Sequence, residues 1–580
     1  MVASDFKEIW VADFEFKGEP GDRPEPLCLV AHEVLSGKIL KLWSDDLMGA
    51  SCPYDVGPDS LFVAYYASAE MSCHRALDWP LPENVLDLYA EFRVKTNGKV
   101  LASGRGLLGA LAYFGENGID ALEKDVMRDL VLRGGAYSDE ERAAILNYCE
   151  SDVVATVKLL RVMWNGLKTA PHLCHALLRG RYSKAVACME WYGIPIDTAL
   201  LSRLREHWDR LKDELISLVD AQFGIYEGRT FKQARFTEYL MQKGILWPKL
   251  DSGRLALDDD TFSQQCKTWP ELRPLKELRQ ALGQLRLNDL AVGADGRNRT
   301  MLSMFSSKTG RNQPSNAKFV FGLAAWLRGL IRPRPGYGLA YVDWAQQEFG
   351  IAAALSGDAR MQEAYVSGDP YLAFAIQAGA APRNATKASH GAVREQYKAC
   401  VLAVQYGMGE ESLALRIQQP KVYAAELLKM HRRTYPDFWR WSDAALDFAL
   451  TQRRLWTVFG WNIHVEGKVN TRSLRNFPMQ ANGAEMLRLA ICLATEKGVR
   501  VVAPVHDAVL IEAPIEELEA ATARMQECMR QASAAVLDGF ELRADAETFV
   551  YPARYVDERG SGMWTTVNNL LARIQAEVMV

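Results

Sequence analysis

The chain has no surplus of positive charge, no Cys-x-x-Cys pair, no long apolar run, no internal repeat and no low-complexity segment. Each absence removes a class of protein. With a formal net charge of −4 it is not a polycation, so any grip on a polyanion must come from locally concentrated positive charge. The ten cysteines are irregularly spaced, which suits reduced, buried thiols and not a disulfide framework. The tightest metal-like cluster, His172-Leu-Cys174-His175, is too narrow for a zinc site and lacks a fourth ligand; it reads as the start of a helix. No run reaches the ~18 apolar residues of a membrane span, and the closest, Phe319 to Ile331, is broken by Arg328. The N-terminal Met-Val-Ala-Ser-Asp-Phe lacks the basic and apolar regions of a secretory signal. A cytoplasmic protein without membrane partners is expected.

What is present suits a large globular protein. At 580 residues, 49% apolar and 24% charged, two to four domains are expected. Short β-prone runs at 8–16, 26–34, 38–43 and 61–65 precede helical periodicity at 107–113 and 138–163. Strands followed by helices make the first 165 residues a self-contained α/β unit. Ser138-Asp-Glu-Glu opens the second helix as a capping box. Residues 165–290 read as mainly helical, with a break at Pro248 to Gly253. From Gly296 to Val342 there are eight Arg or Lys (Arg297, Arg299, Lys308, Arg311, Lys318, Arg328, Arg332, Arg334) and no Asp or Glu, a composition that fits a phosphate-backbone track. A strand is expected at 337–343 and a helix at 344–356. Helices dominate 369–450, and Arg500 to Pro514 reads as two strands joined at His506-Asp507, with a helix from Ile515.

Carboxylates stand at the ends of these strands. Asp13-Phe-Glu15 closes the first one, and side chains at i and i+2 share a strand face. Their repulsion suits a bound divalent cation. Tyr148 and Asp152 share a helix face, a phenol to orient water beside a carboxylate to hold metal. In the second half, Tyr341-Val-Asp343 and Val505-His-Asp507 each deliver an aspartate to a sheet edge. Between them Arg394, Lys398, Leu402 and Tyr406 recur every four residues as one slowly winding stripe, roughly 18 Å long. That is enough for an extended nucleoside triphosphate. Two separated carboxylates with a cationic helix suit two-metal chemistry on a polyphosphate.

Two family resemblances follow. Asp13-x-Glu15 with Tyr148-x-x-x-Asp152 resembles the proofreading 3′–5′ exonucleases. Ala64-Tyr-Tyr-Ala-Ser-Ala-Glu70 stands where their second motif belongs, with Tyr66 in place of the usual Asn and Glu70 in place of the usual Asp. Residues of about 170–580 resemble the family A (DNA polymerase I-like) DNA polymerases, of the compact kind found in phages and some bacteria. Thr309-Gly-Arg311, Asp343 to Glu348, Arg394 to Gly407, Val505-His-Asp507, and Arg472 with Asn476-x-x-x-Gln480 carry that match. The resemblance implies a ribonuclease H-like exonuclease domain (1–165) before a right-hand polymerase (166–580), with the thumb at about 195–295, the fingers at about 360–470 and the palm in the remainder.

It implies template-dependent addition of dNTPs to a primer 3′ end, with proofreading. Asp343 and Asp507 would hold two Mg²⁺ ions, and Asp13, Glu15 and Asp152 would hold two more, with Mn²⁺ as a substitute; Glu70 and Tyr148 complete the exonuclease set. Arg394 and Lys398 would bind the triphosphate, with Lys398 also donating a proton, while Leu402 and Tyr406 face the incoming sugar and base. Glu348 would exclude a ribose hydroxyl. Gln346, Arg311, Gln480, Arg472, Asn476 and His506 would touch nucleotide or primer–template, and Arg328 the backbone. Primer–template DNA and dNTPs are the implied partners, joined by replication accessory proteins around a monomer. Two departures bear on the chemistry: Ala508 stands where the family commonly has Glu, and Leu402 where it has Phe or Tyr. The competing reading is an exonuclease or repair factor whose second half only grips DNA.

Overall fold

The structure, a computed structural model, describes residues 6–116, 121–250, 252–283, 287–405, 407–467 and 470–578. The first unit is a five-stranded sheet of β1 (Glu8–Lys17), β2 (Glu25–Glu33), β3 (Ile39–Trp43), β4 (Ser60–Ala64) and β5 (Asn84–Asp87), in the order β3-β2-β1-β4-β5. β1 runs antiparallel to β2 and parallel to β4. Helices α1 (Ser68–Ala76) and α2 (Leu88–Thr96) follow β4 and β5, and the long α3 (Asp139–Leu167) crosses the sheet. Residues of β1 alternate between two cores. Ile9 and Val11 pack with Ile145, Cys149 and Val153 of α3, whereas Trp10, Ala12 and Phe14 pack with Met71 and Cys73 of α1. The same two-residue period carries Asp13 and Glu15 onto the face covered by α3. The Ser138 capping box forms, with Ser138 Oγ accepting from the Glu141 N–H and the Glu141 carboxylate accepting from the Ser138 N–H.

Helix α4 (Ala170–Tyr192) begins at the His172–His175 cluster, which is therefore a helix start. Mainly helical segments occupy 198–283 and 359–452. The second sheet holds β6 (Tyr337–Trp344), followed by α5 (Gln347–Ser356), α6 (Gly391–Gln405) and α7 (Thr471–Glu496), then β7 (Val501–Val505), β8 (Ala508–Pro514), α8 (Leu518–Val536) and β9 (Ala544–Val550). Its order is β7-β8-β6-β9 and every pairing is antiparallel. β5 and β9 were not expected from sequence. β9 is an edge strand exposed along most of its length, so Ala-Asp-Ala-Glu-Thr carries no apolar alternation to announce it.

The two halves are joined by buried polar contacts. Arg179 of α4 donates to Glu91 of α2 through Nε (2.5 Å) and Nη2 (2.9 Å), and through Nη1 to the Phe459 carbonyl (2.9 Å). The two side chains are 6% and 3% exposed. Arg93 of α2 and Asn97 just after it hold the carbonyls of Phe305, Ser306 and Lys308, the segment leading into Thr309-Gly310-Arg311. Glu91→Ala leaves the Arg179 guanidinium buried without its carboxylate, and is expected to cost about 3–5 kcal/mol. An unfolding midpoint in denaturant unchanged from the parent would refute that account.

The basic segment departs from expectation. Arg297 pairs with Glu512, Arg299 with Asp295, Arg332 with Asp197, and Arg328 with Asp557 at 2.6 Å. Arg328 is 8% exposed and also donates to the Phe321 carbonyl, which commits it to the fold and not to a backbone track. Acids outside the stretch, three of them far away in sequence, pair closely with four of its eight cations, which is why local composition overstated its free charge.

Candidate active site

Asp343 lies at the C-terminal end of β6, directly opposite Ala508 of β8 on one side and Asp545 of β9 on the other. Asp507 occupies the turn just before Ala508. Residues paired across adjacent strands project to the same face, so Asp343 and Asp545 form a row with Asp507 at its head. The Asp343 carboxyl is pushed up to about 7, first by burial, then by the negative charge of Asp507, with Asp545 adding to it and the Trp344 N–H opposing. Its Oδ1 is buried without a hydrogen-bond partner. A carboxylate so destabilised, with an orphaned oxygen and a like-charged neighbour, suits a divalent cation. Asp545 is the member of the row that sequence reasoning missed; its signal, an acid in an exposed Ala-Asp-Ala-Glu run, is indistinguishable from a surface strand.

Both aspartates are flanked by left-handed backbone, His506 at φ 59° beside Asp507 and Gln346 at φ 48° three residues after Asp343. Such conformations are rare outside glycine and let each chain turn sharply at the sheet edge. His506 is held below its ordinary value by burial, with Arg328, Arg311 and Arg559 adding positive charge nearby and Asp507 opposing them. Gln346 Oε1 accepts from Arg543 at 3.5 Å.

Glu348, in the first turn of α5, is raised by burial; Arg311 and a hydrogen bond to Gln480 pull the other way, and the Asp507 charge adds to the rise. Glu348, Arg311, Gln480 and Asp507 therefore converge from four separate segments. Gly310 sets the Arg311 backbone. It has φ +79°, and a Cβ there would come within 3.1 Å of Arg488 Nη1 and of the Trp461 ring, so only glycine fits. Arg472, Asn476 and Gln480 follow one another on one face of α7. Asn476 Oδ1 is buried without a partner, and the Arg472 stem packs over Gly407.

On α6, Arg394, Lys398 and Leu402 are partly exposed while Tyr397, Ala399, Cys400 and Val401 are buried, so the expected stripe is the open face of the helix. Arg394 donates to Asp369 at 2.5 Å and to Glu395 at 2.6 Å. Arg394 and Lys398 both lie over the Tyr371 ring, at 5.4 and 5.9 Å. Tyr406 lies outside the described residues.

A second carboxylate cluster stands in the first unit. The donor atoms of Asp13, Glu15 and Cys149 all lie within 4.8 Å of one another. The Cys149 thiol donates to the Asp13 carbonyl (3.2 Å) and Oδ2 (3.4 Å). Glu70 of α1 is 4% exposed. Its carboxyl is raised well above the usual range by burial, then by Asp13, with Asp87 and Glu15 adding, and its Oε2 has no hydrogen-bond partner. The Tyr148 phenol is raised by burial and by Asp152, with which it shares a hydrogen bond, and Glu15 and Asp13 add smaller effects. Asp13, Glu15, Glu70, Tyr148 and Asp152 thus come together from β1, α1 and α3. Tyr66 is left-handed (φ 76°), its N–H and that of Ala67 held by the Asp87 carboxylate, and this turn aims α1 at the cluster. Sequence reasoning missed Cys149 and Asp87. The first adjoins Tyr148; the second is marked only as a helix N-cap.

Comparison with known proteins places residues 271–548 in a match to DNA polymerase family A. The chain is 23% identical over 444 residues to DNA polymerase I of Chloroflexus aurantiacus, covering 70% of this chain and 46% of that one. It is 24% identical over 429 residues to the thermostable DNA polymerase I of Thermus aquaticus, covering 68% and 50%. The chain therefore spans about half the length of these relatives. Its fold resembles that of the POL domain of Pol1 from M. smegmatis, solved in complex with DNA primer-template and dNTP, with a TM-score of 0.69 at 17% identity over 95% of this chain and 96% of the other. No described helix is long and apolar enough to cross a membrane.

Proposed function

We propose that this chain, which carries a DNA polymerase family A domain in residues 271–548, extends a DNA primer on a template and removes 3′-terminal nucleotides with its N-terminal unit. The observation that carries the reading is the meeting of Asp343 and Asp507 at one sheet edge, close enough for the charge of one to raise the carboxyl of the other. Mg²⁺ ions would be held by these two aspartates and, when bound, supply charge stabilisation at the attacking and leaving oxygens. The remaining work falls to the chain's own side chains. Arg394 and Lys398 neutralise the triphosphate from the open face of α6, and Lys398 donates a proton to the departing pyrophosphate. Glu348, tethered by Gln480, fills the space beside the sugar and disfavours a 2′-hydroxyl. Arg311, Gln480 and Asn476 read the minor groove, whose acceptors are common to every correct pair. In the first unit, Asp13, Glu15 and Asp152 would hold the metal and Tyr148 orients the attacking water. Ala508 leaves the polymerase site without a carboxylate on the β8 side of Asp343, so Asp343 and Asp507 carry the load there.

Primer extension tests the reading. The wild-type chain is expected to elongate a primer with dNTPs and Mg²⁺, and Asp507→Ala to lose at least about a hundredfold of that rate. Elongation that persists in Asp507→Ala sinks the site assignment. A wild-type chain that binds primer–template without extending it favours the DNA-gripping nuclease instead.

A further inference from the structure

At the far end of β6 from Asp343 lies a cavity of about 670 Å³. With six residue steps from Tyr337 to Asp343 at ~3.3 Å each, the two places are roughly 20 Å apart along the strand. Five arginines line it: Arg23, Arg297, Arg332, Arg334 and Arg500. They come from four separated stretches of chain, one of them the β1–β2 turn of the N-terminal unit. Arg299 and Arg554 stand behind the wall. These seven guanidiniums share three carboxylates. Asp295 is taken by Arg299, Asp197 by Arg332 and Arg554, and Glu512 by Arg297, Arg500 and, at 4.0 Å, Arg334.

The surplus is concentrated at the mouth. Arg297 is saturated, donating to Glu512 and to the carbonyls of Tyr192 and Gly193. Arg334 is 45% exposed with no carboxylate closer than Glu512, and Arg500 is 37% exposed with one bond of 3.3 Å. Among the described residues Arg23 has no carboxylate partner; it donates to the Trp191 carbonyl. Burial and the charges of Arg299, Arg297 and Arg75 pull its guanidinium below the ordinary value against Asp295. Like charges crowded around a concave space attract a multiply charged anion, and guanidinium forks match phosphate oxygens bidentately.

The aromatic residues narrow the ligand. Arg23 covers Trp191 at 4.3 Å, Arg500 covers Tyr192 at 5.0 Å, Arg332 covers Tyr551 at 4.9 Å, and Arg334 covers Tyr337 at 3.6 Å. These stacks hold the guanidiniums in place and occupy ring faces that a base would need. The five arginines come from both halves of the chain and converge on one concave space, which suits a compact anion. We propose that this cavity binds a small polyphosphate anion, pyrophosphate or the phosphate tail of a free nucleotide, by its phosphates and without regard to the base. The proposal does not depend on the polymerase reading.

The test uses the full chain in EDTA with inorganic tripolyphosphate as the probe, followed by calorimetric titration. An Arg394→Ala/Lys398→Ala background removes the cations of α6. Saturable binding is expected to survive in that background and to weaken at least tenfold when Arg334→Gln and Arg500→Gln are added, with dATP and dCTP competing equally. Tripolyphosphate should also raise the melting temperature of the background variant and not that of the quadruple variant. Because Arg334 has no close carboxylate to strand, Arg334→Gln alone serves if the quadruple variant does not fold, and it too should weaken binding. Absence of saturable binding in the background variant, or binding indifferent to Arg334 and Arg500, would overturn the proposal. So would arginine-dependent binding of a single-stranded oligonucleotide but not of tripolyphosphate.

Discussion

Asp343→Asn is expected to abolish primer extension and, in the absence of divalent metal, to make the protein more stable at pH 8. The two effects have one cause. In the folded chain the Asp343 carboxyl titrates near 7 instead of its ordinary 3.8. A group whose folded value is raised disfavours its own ionisation on folding. The penalty is absent below the ordinary value, grows as pH rises through the interval, and is complete above about 7. That rise corresponds to up to about 4 kcal/mol, and part of that returns because Asn keeps a buried carbonyl oxygen where Asp343 Oδ1 lacks a partner. A net gain of about 1–3 kcal/mol at pH 8 remains. Thermal melts in EDTA check it: the advantage of Asp343→Asn should be near zero at pH 4 and largest at pH 8. Mg²⁺ should shrink it by stabilising the parent alone. Equal melting temperatures at pH 8 would mean that the site is not strained by its own charge. The polymerase reading would then lose the electrostatic argument for a cation there.

The same charge logic separates what was legible in the chain from what was not. The strand Tyr337–Trp344, the hairpin at Val505-His-Asp507 and the strand Glu8–Lys17 were readable because each contains a short apolar, β-prone run that ends at a carboxylate. The open face of α6 was readable because a four-residue repeat of polar and large side chains stays on one side of a helix. Asp545 was not, because an exposed edge strand has no inward face to pattern it; only its register with Asp343 gives it meaning. Part of the charge in the basic stretch 296–342 was misread for the opposite reason. Its partners Glu512, Asp557 and Asp197 lie more than a hundred residues away, and composition within a window is blind to them. Arg328 thus reads as a DNA-backbone contact in sequence and as a buried ion pair with Asp557 in the fold. Cys149 was passed over as one more reduced thiol, yet its position one residue after Tyr148 on α3 turns it toward Asp13.

The largest effect expected in the N-terminal unit is that of Asp13→Ala, which should lower metal-dependent degradation from a 3′ end by at least about a hundredfold while primer extension persists. Alternation along β1 puts Ile9, Val11, Asp13 and Glu15 on one face, so the carboxylates continue a buried apolar row under α3. Burial there leaves Glu70 Oε2 unsatisfied and keeps its carboxyl protonated well past the usual range. The raised Glu70 carboxyl favours its protonated form beside Asp13, and a cation between them would favour release of that proton. Glu70→Gln mimics the protonated form permanently, so it should resemble Asp13→Ala in degradation while leaving the fold intact. Gel assays on a mismatched primer without dNTPs read the loss directly. The two sites have separate carboxylates on separate sheets, so each loss should be confined to its own reaction. Degradation unchanged in both Asp13→Ala and Glu70→Gln would show that the cluster is a buried acidic pair without chemistry. Extension lost along with degradation would instead mean that the Arg179–Glu91 and Arg93–Phe305 contacts transmit disorder from the first unit into the Thr309-Gly310-Arg311 segment.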